Sequence, residues 1–341
     1  MSLPILDSIN DIRGVIENLP GPDASAEAAA NEREPQLTKP AGSLGRLEQI
    51  AAWLATWQRS HPPALGTVAV HVFAGNHGVT KQGVSAFPSE VTAQMVGNFQ
   101  AGGAAINQLC KAQGAALQVF PLELDNPTAD FSESPAMNEG EFVTAFNVGW
   151  NSVHSNMDLL CVGEMGIGNT TAAAAIAHAL FGGTGEDWAG PGTGVSGEAL
   201  SHKASVISAA VETHQGAMTD GLEILRHVGG RELAAMAGAI VAARIQGVPV
   251  VLDGYVATAA AGPIAVCAEG ALDHCIAGHV SKEPGHRRLL EKLGLDPLLD
   301  LDMRLGEASG AAVAIGIIRA AHACHTGMAT FAEAGVADKD A

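Results

Sequence analysis

From Thr67 onward the chain repeats one unit, a short apolar run that stops at a glycine or a polar residue and gives way to a helical stretch. The runs are residues 68–74, 116–122, 159–162, 248–252 and 275–279. Runs this short, separated by helix-length segments, do not pair as hairpins. They predict an α/β fold, a mostly parallel sheet with helices on both faces. Aromatic residues make up only 4% while glycines number 41, which favours close-packed helices and glycine turns over a β-sandwich. In such sheets ligands bind beyond the carboxyl ends of the strands. Chemistry is therefore expected at the polar residues that follow the runs: Asn76, His77, Glu164, Asp253 and Ser281.

The two ends read differently. Ile5, Ile9, Ile12 and Ile16 recur at helical spacing, Pro20-Gly21-Pro22 breaks that helix, and Ser43 is placed to cap another carrying Leu44, Leu47, Ile50, Ala51 and Leu54. A last alanine-rich helix, from Glu307 to about Met328, has no strand after it to cover and is expected to pack back on the first helices. The expected division is a small helical domain from residues 1–64 joined by 307–341, and a large α/β domain from 65 to 306. Eighteen Lys and Arg against 36 Asp and Glu give a net charge of −18, a field that argues against nucleic acid or anionic membrane as partner. A phosphorylated substrate must then be met by one or two lysines and by helix N-termini. Five cysteines without C-x-x-C spacing, and a start lacking an apolar signal core, predict a reduced, cytoplasmic setting. No apolar stretch is long enough to span a bilayer.

The strongest local signal is residues 159–171. An apolar run enters Gly163, Gly166 and Gly168, and Asn169, Thr170 and Thr171 then open a helix, a backbone-lined turn suited to an anion or a flat ring. The spacing is not that of a dinucleotide fingerprint, and an ordinary strand-to-helix turn is the plain alternative. Glu164 argues against the plain reading, because a carboxylate at a strand end needs a partner or a task. Gly192-Thr193-Gly194 can offer successive N–H groups to a phosphate, with Lys203 about two turns into the following helix; a helix lysine is also commonly just solvated. Asp253-Gly254 ends another run, where the carboxylate either accepts ribose hydroxyls or caps the next helix. Glu307 opens the last helix, as a catalytic group or as an acid matched to the helix dipole. The 13 histidines lack metal-ligand spacing and no G-x-S-x-G is present, so neither a metal nor a serine nucleophile is expected, and no cofactor.

Taken together, certain segments resemble one enzyme family. They are Lys39-Pro40-Ala41-Gly42-Ser43-Leu44-Gly45-Arg46-Leu47-Glu48, Ala74-Gly75-Asn76-His77-Gly78-Val79, Gly83-Val84-Ser85-Ala86-Phe87-Pro88 and Val91-Thr92-Ala93-Gln94-Met95. After these come Gly163 to Thr171, Gly192-Thr193-Gly194, Asp253-Gly254 and Met303-Arg304-Leu305-Gly306-Glu307. In this order, and over nearly the whole chain, the sequence resembles the nicotinate-nucleotide:dimethylbenzimidazole phosphoribosyltransferase family. The resemblance implies a dimer with a Rossmann-like large domain and a small helical domain. It implies conversion of nicotinate mononucleotide and 5,6-dimethylbenzimidazole into α-ribazole phosphate and nicotinate, for cobalamin.

Carried over by position, Glu307 resembles the family's general base and Glu164 its second carboxylate. Gly192, Thr193, Gly194 and Lys203 resemble the phosphate-holding elements, with Gly166, Asp253, Gly254 and Ser281 completing the nucleotide site. Ser85, Phe87, Gln94, Met95 and Leu305 resemble the acceptor pocket. Pro191 stands where many relatives carry a basic residue, and residues 126–141 fit the family poorly. A β-nucleotide giving an α-riboside implies one inverting displacement, in which the acceptor azole needs a base and the pyridinium leaving group needs no acid. Two rivals remain: a related transferase using adenine or a phenol, and a non-catalytic nucleotide-binding paralogue, against which Glu307 itself argues.

Overall fold

The apolar runs pair as a six-stranded sheet, parallel at every neighbouring pair, in the order β2-β1-β3-β4-β5-β6. The strands are β1 (Val68–Ala74), β2 (Ala116–Pro121), β3 (Leu159–Met165), β4 (Val250–Leu252), β5 (Cys275–His279) and β6 (Pro297–Leu299). The computed structural model describes residues 3–337.

Side chains alternate across this sheet and feed two cores. Val68, Val70, Val72, Leu159, Cys161 and Val251 point into one, closed by the helices Arg46–Gln58, Ala105–Gln113 and Ser309–Gly327. Ala69, Phe73, Leu160, Val162, Val250 and Leu252 point into the other, closed by the helices Asn169–Phe181, Arg231–Gln246 and Tyr255–Cys267. Burial on both faces is why β1, β3, β4 and β5 read as unbroken apolar runs, whereas the edge strands β2 and β6 are only partly covered. No described helix is long and apolar enough to cross a membrane.

The structure moves several boundaries. β3 continues past residue 162 because Gly163, Glu164 and Met165 pair with Val72, Phe73 and Ala74 of β1, so Glu164 lies inside the strand and not after it. β4 begins only after Pro249, which has no N–H for a central ladder, and β2 ends on Pro121. β6 was hidden by Pro297, which is tolerated because the strand forms the sheet's edge. Ile5 is 84% exposed and precedes the helix Ile9–Glu17, which Ser8 caps. The helix carrying Ile50 starts at Arg46 behind Gly45, not at Ser43. The last helix starts at Ser309, leaving Glu307 in the turn ahead of it. That helix lies across the sheet, with Ala311, Ala312, Ala314 and Ile315 in the same core as Ile50 and Leu54.

Candidate active site

Beyond the carboxyl ends of β3, β4 and β5 lies a cavity of about 610 Å³. Glu164, Gly166, Asn169 and Thr170 line it from β3, Gly254 and Tyr255 from β4, and His279, Ser281 and Glu283 from β5. Arg304, Leu305, Gly306 and Glu307 form another wall, and Phe87, Val91 and Met95 face them from the loop and helix after β1.

The two predicted catalytic carboxylates are brought together by main chain. The Glu307 N–H donates to the Glu164 carbonyl at 3.1 Å. Gly163 permits this approach, since a β-carbon there would strike the backbone of Ala308. Gly306, Glu307 and Ala308 are all left-handed, with φ of 80°, 62° and 61°. For Glu and Ala that conformation is strained, and it persists because its surroundings fix it. Ser309 N–H closes on the Gly306 carbonyl at 3.0 Å, and Asp253 Oδ1 accepts the Ala311 N–H at 2.9 Å. Asp253 is 1% exposed and is absent from the cavity wall. Its carboxylate caps a helix, but the helix is Ser309–Gly327, far along the chain, and not Tyr255–Cys267 which follows it.

This arrangement crowds acids in a low-dielectric space. Burial, with the nearby Asp253 charge, pushes Glu307 up to about 7. Burial, then Asp253 and Glu232, holds Glu164 well above the ordinary carboxylate range, against a hydrogen bond donated by the Asn169 amide. Burial likewise raises Asp253, opposed by His279 and by backbone N–H groups.

The opposite end is arranged for an anion. Lys203 is 1% exposed, and its ammonium donates to Thr170 Oγ1 at 2.8 Å and to the Gly190 carbonyl at 3.0 Å. Burial lowers its pKa to about 8. Lys203 is not on the wall, whereas Thr170 is, and its hydroxyl has its own proton left to donate. Thr170 also sits in the first turn of its helix, where the dipole favours negative charge. The Gly-Thr-Gly loop does not present a row of free N–H groups. Gly192 N–H donates to Glu283 Oε1 at 3.0 Å and Gly194 N–H to the Pro191 carbonyl at 2.8 Å, because the loop closes on itself as a turn.

Ser281 is held by a chain of hydrogen bonds. Its N–H donates to His286 Nδ1 at 2.8 Å, and His286 Nε2 lies 2.9 Å from Thr258 Oγ1. Burial drops His286 to about 3, so it is neutral, with Nδ1 accepting and Nε2–H donating to Thr258.

Comparison with known proteins decides the family. A family model described as Phosphoribosyltransferase matches residues 19–336. The nicotinate-nucleotide–dimethylbenzimidazole phosphoribosyltransferase of Sinorhizobium medicae (strain WSM419) is 58% identical over 330 residues, 97% of each chain. The chain belongs to this phosphoribosyltransferase family. It is an enzyme, a pentosyltransferase. The counterpart from Brucella anthropi is 57% identical over 327 residues, 96% of each chain. Among solved structures, CobT from Thermus thermophilus superposes with a TM-score of 0.85 at 44% identity, covering 92% of this chain and 99% of its own.

Within this phosphoribosyltransferase, Ser85 is half-exposed and not on the wall, and its hydroxyl lies 3.0 Å from Thr193 Oγ1. Thr193, Phe87, Met95 and Leu305 reach the cavity, with Phe87 and Leu305 half exposed at its rim. Gln94 and Gly194 are exposed and not on the wall. Sequence reasoning passed over Arg304 and Glu283. Arg304 puts a cation on the wall beside the Gly192 carbonyl, and its signal was its place in Met303-Arg304-Leu305-Gly306-Glu307. Glu283 had a fainter one, two residues beyond Ser281.

Proposed function

We propose that the enzyme transfers phosphoribosyl from nicotinate mononucleotide to 5,6-dimethylbenzimidazole, giving α-ribazole 5′-phosphate and nicotinate for cobalamin assembly. The observation that carries this reading is Glu307, buried on the cavity wall beside Leu305 with its carboxyl pushed up to about 7. A carboxylate so tuned accepts a proton near neutrality from an azole N–H, a step commonly contributing ~10²–10⁴-fold.

One azole nitrogen attacks C1′ as the other gives its proton to Glu307. The C1′–pyridinium bond breaks with its electron pair going to the ring nitrogen, so nicotinate leaves neutral at that nitrogen and unaided by an acid. Attack opposite the leaving group inverts C1′ and needs no covalent enzyme intermediate. Glu164, ionised against the substrate's cationic charge, stabilises oxocarbenium character at C1′. The phosphate binds at Thr170, Thr193 and the Gly192 loop, with Lys203 behind Thr170 and Arg304 supplying the charge that Pro191 does not. Gly166, Gly254 and Ser281 hold the nucleoside, Asp253 acts through the turn it caps, and Phe87, Val91, Met95 and Leu305 enclose the acceptor. The enzyme works as a cytoplasmic homodimer, its terminal helices forming a small domain beside the α/β domain.

The test is incubation with nicotinate mononucleotide and a panel of azole, purine and phenol acceptors, with products read by mass. Dimethylbenzimidazole riboside phosphate should dominate. Preferential transfer to adenine or a phenol would reassign the acceptor, and no transfer would leave a nucleotide-binding paralogue.

A further inference from the structure

The motif at residues 74–79 contributes nothing to the cavity wall, yet its histidine meets a second buried acid. His77 Nε2 lies 2.5 Å from Glu232 Oε1, and both side chains are wholly buried. Glycines from separate loops make room for this pair. A β-carbon at Gly75 would collide with Glu232 Oε2, and one at Gly230 with His77 Cε1. At Gly166 it would stand 3.1 Å from Glu232 Oε1 and 3.3 Å from Asn169 Nδ2. Gly166 lines the cavity, and Asn169 donates to Glu164. The Glu232 carboxylate is therefore packed under the turn that carries the Glu164 partner. A buried acid–imidazole contact adds little net stability, and this one leaves Glu232 Oε2 and His77 Nδ1 without a hydrogen bond among the described residues.

We infer that His77 and Glu232 are positioning residues: His77 anchors the Glu232 side chain beneath Gly166, and the acidic group held there opposes negative charge on Glu164, across the Gly166–Asn169 turn, until a cationic substrate enters. This deepens the proposed function and rests on it for the task of Glu164. The groups facing Glu164 are Asn169 on its own loop, Asp253 after β4 with His279 beside it, Glu307 ahead of the last helix, and Glu232. Asp253 and Glu232 each have an imidazole partner, at 3.6 and 2.5 Å. Glu164 has an amide instead, and burial with the neighbouring acids holds it well above the ordinary carboxylate range, as burial holds the equally unpaired Glu307 at about 7. The pyridinium of the nucleotide supplies the missing cation, and Glu164 then gives its proton to solvent water and faces C1′ as a carboxylate.

The test reads Glu164 directly, by ¹³C NMR of the whole enzyme labelled at glutamate δ-carboxyls, with assignment by Glu164→Gln. Glu232→Gln keeps shape and removes the charge. It should lower the Glu164 midpoint by about one pH unit, a tenfold change in its ionisation constant. An unchanged or raised midpoint overturns the inference, whatever the enzyme's substrates prove to be. Glu232→Asp, which retains a charge, should keep most of the elevation, and a midpoint equal to that of Glu232→Gln would refute the electrostatic role. If these results hold while nicotinate mononucleotide does not bind, the proposed function fails and the inference stands.

Discussion

Replacing Glu307 by Gln should make the enzyme more stable and nearly inactive, and the gain in stability should depend on pH. Glu307 is 5% exposed and its carboxyl is raised from an ordinary 4.5 to about 7, mainly by burial. A carboxyl raised on folding favours the folded state while protonated. Its cost grows as pH climbs from 4.5 and is complete above about 7. A displacement of roughly 2.5 units at about 1.4 kcal/mol per unit destabilises the wild type by about 3 kcal/mol at pH 8.5. Glutamine never ionises and escapes that cost. Scanning both proteins from pH 5.5 to 8.5, where about 2 kcal/mol of that cost develops, the melting temperature of Glu307→Gln relative to wild type should rise by roughly 4 °C, at about 2 °C per kcal/mol for a chain this large. In parallel kcat should fall ~10²-fold or more, with both KM values little changed. A melting difference that stays flat across this range would show that Glu307 is not displaced in the folded enzyme.

Lys203→Met keeps the buried stem but removes the ammonium behind Thr170. The KM for nicotinate mononucleotide should rise about tenfold or more, roughly the worth of one charge-assisted hydrogen bond; an unchanged KM in folded protein removes Lys203 from the phosphate site. Phe87→Asp, at the cavity rim, should raise the dimethylbenzimidazole KM far more than the nucleotide KM, and equal effects would move the acceptor elsewhere. Light scattering at micromolar concentration should give a dimer, and a monomer would contradict the proposed assembly.

The legible parts of this molecule were those where one rule acted locally. Strands buried on both faces read as apolar runs, and the ends of those runs pointed to Glu164 and Ser281. The failures have nonlocal causes. Asp253 sits ahead of one helix and caps another more than fifty residues away, a relation no window along the chain contains. Glu307 reads as a first-turn acid, but the approach of Ala308 to Gly163 forces three successive left-handed residues and delays the helix to Ser309. Lys203 has the sequence context of a solvated lysine and is buried because Gly190 and Thr170 converge on it. Pro191 stands where many relatives carry a basic residue, while Arg304, far away in sequence, faces the same loop. The Gly192 loop misled for another reason: glycine permits a phosphate cradle and a closed turn equally, and the choice falls to Glu283.

A single displacement driven by a carboxylate base fixes the anomeric configuration of the product. Wild-type enzyme supplied with β-nicotinate mononucleotide and 5,6-dimethylbenzimidazole should yield only the α-riboside phosphate by NMR, and labelled nicotinate should not exchange into the mononucleotide when acceptor is absent. A β product, or acceptor-independent exchange of nicotinate, would require a second displacement at C1′ and exclude the single inverting one.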